Sequence, residues 1–103
     1  MNSRPKTVKI LHATYIIEYV NAEDPDLKDN LGVCLSEKLV IKIKKSMKKQ
    51  LMKSILWHEI LHAIWWWLDL QENDEEERFV SKAATGSYHV LLDNPDLVKY
   101  LFE

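Results

Sequence analysis

The stretch that most constrains this 103-residue chain is Ile55 to Leu68, ILWHEILHAIWWWL. Apart from one cluster it is apolar on every side of a helix, and a helix apolar all round must be covered all round. The cluster is His58-Glu59-Ile60-Leu61-His62. Residues four apart lie one above the other on one helix face, so the two imidazoles are neighbours with Glu59 beside them. Burying a carboxylate and two imidazoles in an apolar helix is costly unless they are paired or bind a metal ion.

The flanking sequence supplies what must cover this helix. Lys6 to Val20 is rich in β-branched and aromatic residues and is expected to be a strand covered on both faces. Asn21 to Asn30 is polar, contains Pro25 and reads as a loop. Gly32 to Lys44 reads as a hairpin whose second arm, Lys38 to Lys44, alternates lysine with Leu39, Ile41 and Ile43. Lysines on one side of a short strand guard an exposed sheet edge, so this arm is expected at the edge. Ser46 is the expected cap of a helix from Met47 to Asp69. A second helix is expected over Asp74 to Leu92, with Asn73 or Asp74 as its cap and Glu75, Glu76 and Glu77 at the positive end of its dipole. Asn94-Pro95 starts a short terminal helix to Leu101. The expected architecture is α+β: one domain, residues 1–103, with about three strands packed on two helices and a short C-terminal helix or tail.

Composition narrows the classes. A formal net charge of −2, with the lysines of 42–53 balanced by the acids of 69–77, argues against nucleic acid as a partner. The apolar run is too short and too polar to span a bilayer, so no stable membrane insertion is expected. No signal-peptide pattern opens the sequence, and Cys34 is the single cysteine; a cytoplasmic protein is the expectation. Cys34 itself reads as a small buried apolar residue. Three consecutive tryptophans, Trp65, Trp66 and Trp67, point in three directions, so at least one is expected to meet the C-terminal segment, solvent or a second copy in a homodimer.

Imidazole ligands suit zinc, and a catalytic zinc takes three protein ligands plus water. The third is expected from the acidic start of the second helix. Taking Glu77 inward places Val80, Ser81, Ala84 and Tyr88 on the same stripe; taking Glu76 inward places Phe79, Val80, Ala83 and Ser87 there, and periodicity leaves both open. His12, Tyr88 and His89 receive no role.

HEILHA followed by EExxV at Glu76–Val80, with the ATGSYHVLLDNPDL stretch behind, resembles the gluzincin metallopeptidases, and among them the minimal minigluzincins and small phage-type zinc peptidases. The resemblance spans about Lys38 to Leu97. It implies a minimal zincin-like fold and a zinc metalloprotease, a hydrolase of peptide or protein substrates using one Zn2+. It implies His58, His62 and Glu77 as ligands and Glu59 as general base. It also implies a zymogen, made latent by a C-terminal segment within one chain or between two. The family often has an aspartate four residues after the ligating glutamate, holding a ligating histidine; here Ser81 stands there. Substrate is expected to add as an antiparallel strand along Lys38–Lys44. The competing expectation is a catalytically inactive zincin-like module that binds a protein partner.

Overall fold

The computed structural model describes residues 4–68 and 74–102. Four strands, β1 (Thr7–Ile10), β2 (Ala13–Val20), β3 (Gly32–Leu35) and β4 (Val40–Lys44), precede three helices, α1 (Lys49–Trp67), α2 (Asp74–Asp93) and α3 (Pro95–Phe102). The sheet order is β1-β2-β4-β3, with β1–β2 and β3–β4 antiparallel and β2–β4 parallel. The α+β class stands, with a four-stranded mixed sheet where about three strands were expected.

The extra strand comes from a turn inside Lys6–Val20. Ile10 pairs with Ala13, so Leu11 and His12 form a two-residue turn, and Leu11 takes a left-handed φ of 56°. Left-handed residues at such turns match the twist of the strands they join. The hairpin also explains the two apolar sets. Ile10 on β1 and Ala13, Tyr15 and Ile17 on β2 share the buried face, while Thr14, Ile16 and Glu18 are exposed. The segment is therefore covered on one face, not both.

The lysine-bearing strand is not the edge. β4 lies between β2 and β3, and its alternation has another cause. Ile41 and Ile43 are fully buried against α1, while Lys42 turns to the outer face and is clamped by Asp24 at 3.1 Å and Asp26 at 2.7 Å. These carboxylates belong to the loop between β2 and β3, which Leu27, 1% exposed, pins to the body. β3 is the edge strand beside the helices.

α1 starts at Lys49 with Lys48 as its cap residue, so Ser46 is not the cap and no side chain caps that end. Asp69 and Asn73 lie outside the described residues. α2 begins at Asp74 as expected and runs against α1. Asn94 does not cap α3 with its side chain: its Nδ2 donates to the Val90 carbonyl at 2.9 Å and closes the last turn of α2, while its backbone carbonyl accepts from Leu97 and Val98. α1 is less enclosed than a helix apolar all round demands. Met52, Glu59 and Ala63 are buried, but most of its other apolar residues are only half-buried. The cover is the sheet on one side and α2 on another.

The three tryptophans do diverge. Trp67 packs under the sheet against His12, with ring centroids 4.5 Å apart. Trp65 meets Phe79 of α2 at 5.2 Å. Trp66 remains exposed beside the cleft described below. The Trp67 indole N–H donates to the Tyr15 hydroxyl at 2.8 Å, and that hydroxyl donates to Ser36 Oγ at 2.9 Å. This chain joins the end of α1 to the turn after β3. Removing the hydroxyl leaves the half-buried Trp67 indole N–H without its acceptor, which costs about 1 kcal/mol. Tyr15→Phe is therefore expected to lower the unfolding free energy by that amount, seen as a lower urea midpoint with an unchanged slope.

Candidate metal centre

α1 and α2 bring together what the sequence keeps apart. His58 and His62 lie one turn apart on α1 with their Nε2 atoms 3.2 Å from each other. Glu77, on the first turns of α2, places Oε2 at 2.9 Å from His62 Nε2 and Oε1 at 3.2 Å from His58 Nε2. One ligand atom from each of the three residues lies within 4.8 Å of the others.

The second acid of the run has a separate task. Glu76 Oε2 lies 2.8 Å from His62 Nδ1. A carboxylate only accepts, so Nδ1 carries a proton, and the Nε2 that faces Glu77 at 2.9 Å meets it either as a second N–H donor or, with its lone pair free, through a shared cation. With a cation between them, the Nε2 atoms of His58 and His62 and a Glu77 oxygen would all direct lone pairs at one point. Ligands about 2.0–2.1 Å from a tetrahedral zinc stand about 3.3 Å from each other, close to the spacings observed. The donor set fits zinc.

Glu76 and Glu77 thus both serve, one turning a histidine and the other converging with it. Periodicity could not separate them because adjacent residues on a helix differ by 100° and the histidine pair is wide enough to meet both. The carboxylate against the outer nitrogen of a histidine ring is here Glu76, one residue before the converging glutamate, and not the residue at position 81. Ser81 Oγ instead donates to Glu77 Oε1 at 3.1 Å. Partners of this kind hold ligand side chains in the orientation binding needs.

Glu59 is 7% exposed. Burial pushes its carboxyl up from the ordinary 4.5 to about 7, partly opposed by His62. His58 is pushed down, first by burial and then by His62, against the pull of Glu77.

These residues line a cleft of about 520 Å³ between α1 and β3. Its other wall is Asn30 to Cys34, with Ser36 and Trp66 at the margins. Lys44 N–H donates to the Leu31 carbonyl. Pairs along an antiparallel ladder alternate, so Val33 and Leu35 bond to β4 while the N–H and C=O of Gly32 and Cys34 face the free edge over the cleft. No lysine stands on this edge, in contrast to β1 with Lys9 at the far side of the sheet.

Gly32 sets the width of the cleft. A Cβ there would sit 2.8 Å from Ile55 Cγ2, 3.2 Å from Ile43 Cδ1 and 3.3 Å from Glu59 Cγ. The strand lies directly on the stem of Glu59 only because no side chain intervenes. Gly32→Ala is expected to cost about 1–3 kcal/mol, the usual result of overfilling a packed contact, checked by denaturant unfolding.

The remaining candidates fall outside the cluster. His12 stacks on Trp67. Cys34 is half-buried and lines the cleft, and burial pushes its thiol up to about 11, which keeps it protonated. Tyr88 and His89 line a separate recess on the other side of His58. α3 packs on α2, and no described residue of α3 lines the cleft. No described helix is long and apolar enough to cross a membrane. No family model, no curated protein and no solved structure matches this chain.

Proposed function

We propose that this chain is a zinc-dependent peptidase of gluzincin type. His58, His62 and Glu77 hold the ion, Glu59 is the general base, and an extended peptide is the substrate. The observation that carries the reading is the position of Glu59: a buried carboxyl next to three convergent ligand side chains, under an unguarded strand edge. A purely structural metal site has no use for such a base.

When bound, zinc would polarise the scissile carbonyl and draw the pKa of a coordinated water towards neutrality. Without metal, burial holds the Glu59 carboxyl up at about 7; a bound zinc would draw it down and keep it ionised at neutral pH, so Glu59 would take a proton from water and return it to the leaving amine. Glu76 keeps the His62 ring turned for ligation. The free N–H and C=O groups of Gly32 and Cys34 bind the peptide backbone by strand addition. Substrate therefore lies along β3, not along the lysine-bearing β4. The tail is on α2 in this arrangement, so a block of the cleft by α3 within one chain is not part of the reading.

The test is metal reconstitution. The chelated protein should cleave no unstructured peptide, one equivalent of zinc should restore cleavage, and excess chelator should abolish it again. Cleavage indifferent to zinc, or no zinc bound at micromolar concentration, would sink the reading. Stoichiometric zinc without cleavage would favour the non-catalytic binding module.

A further inference from the structure

The charges of this chain nearly balance in number but not in place. β2 and β4 run parallel and end together, and β1, antiparallel to β2, begins beside them. Arg4 and Lys6 precede β1 at that end, and the Arg4 guanidinium donates to the Lys45 carbonyl at 3.4 Å. α1 starts soon after β4, so Lys48 and Lys49 stand at the same end, with Lys53 one turn further along. All six of these side chains are exposed.

Little at this end offsets them. No acidic residue stands in the first turn of α1. Glu23 faces Lys45 across a recess, while Asp24 beside it is held by Lys42. Among the described residues, none of the six cations forms an ion pair. The compensating acids, Asp74 to Glu77, open α2 beside His62. Along α1, His62 stands about 20 Å beyond Lys49, at a rise of about 1.5 Å per residue. Exposed charges screen one another beyond about 8 Å at physiological salt, so the acidic end does not cancel the field of the basic end.

The chemistry of the patch selects its partner. Five of its six cations are lysines, which attract anions as point charges and do not grip phosphate through a fixed fork. The one arginine lies over the Tyr19 ring at 5.1 Å, and the Tyr19 hydroxyl donates to the Pro5 carbonyl at 2.7 Å, so the ring beside the patch is already engaged. Single-stranded nucleic acid binds through free rings on which bases stack. Instead Leu51, 42% exposed, stands among the lysines of α1. Lysines around an exposed apolar side chain match the headgroup layer of an anionic bilayer. We propose that this end of the molecule is a docking surface for anionic membranes, holding the protein to lipid headgroups without inserting a helix. The same surface repels the acids of α2, so the molecule is held with the start of α1 towards the bilayer and those acids away from it.

The proposal stands apart from the peptidase reading. Sedimentation of the full chain with phosphatidylcholine vesicles, with and without phosphatidylserine, tests it. The protein should bind only the vesicles that contain phosphatidylserine, and salt at about 0.5 M should release it, because screening shortens the reach of surface charge. Lys48→Gln with Lys49→Gln should weaken binding about 25-fold, about fivefold for each cation near an anionic surface. Both side chains are exposed, so circular dichroism of this variant should match the parent. Lys9→Gln with Lys38→Gln changes net charge equally at the opposite end of the sheet and should weaken binding less than about twofold. Equal binding to neutral vesicles, no binding to either kind, binding that survives salt, or equal losses in the two variants overturns the proposal. So does displacement of the protein from the vesicles by a DNA duplex, which would make the patch a nucleic-acid surface.

Discussion

Replacing Glu59 by glutamine is expected to lower zinc-dependent peptide cleavage by about a hundred- to ten-thousand-fold, the usual worth of a positioned general base, while zinc still binds stoichiometrically. The same substitution should make the metal-free protein more stable at alkaline pH. The folded chain raises the Glu59 carboxyl from 4.5 to about 7 through burial. The folded state thus holds that proton more tightly than the unfolded state, and stability present below pH 4.5 is lost as pH rises through 7. Above that window the ionised carboxylate costs up to about 3 kcal/mol, which glutamine does not incur. Thermal melts in chelator should show Glu59→Gln melting about 5–15 °C above the parent chain at pH 8. At pH 4 the two should nearly coincide. Equal melting at both pH values would mean that Glu59 is solvated rather than buried, and would remove the burial on which the proposed function rests.

The second large effect separates Glu77 from Glu76. At zinc a thousandfold above its dissociation constant, the parent chain should gain about 4 kcal/mol of stability. Glu76→Gln leaves all three converging atoms in place and loosens only the His62 ring. Loss of such a partner weakens metal binding about 10- to 100-fold, so at the same zinc concentration about 1.4–2.7 kcal/mol of the gain should remain. Glu77→Ala removes a ligand and should retain less than either figure. Calorimetric titration with zinc gives the same order directly. If Glu76→Gln proved the more damaging of the two, the assignments would have to be exchanged.

Much of the site was legible because it is local. His58 and His62 are held together by helical spacing alone, and an acidic run at the start of the next helix must come near if that helix packs antiparallel. The division of labour between Glu76 and Glu77 was not legible, because it depends on how α2 is rotated against α1 by a fraction of a turn. The strand edge was misread for a similar reason. Alternating lysines mark one face of β4 as polar, but the pattern does not say whether solvent or the Asp24 and Asp26 carboxylates meet that face. Leu11 carries no glycine or asparagine signal, so the turn that divides β1 from β2 left no mark in the composition.

The sequence alone determined the helix, its two histidines, the carboxyl group between them and the acids that follow, since these depend only on periods of 3.6 and 2 residues. Tertiary structure decided which strand is free, which acid converges on the histidines, and that Gly32 lies on Glu59. Each of these turns on a contact between segments far apart in the chain, where a shift of an ångström or a rotation of one residue exchanges one partner for another.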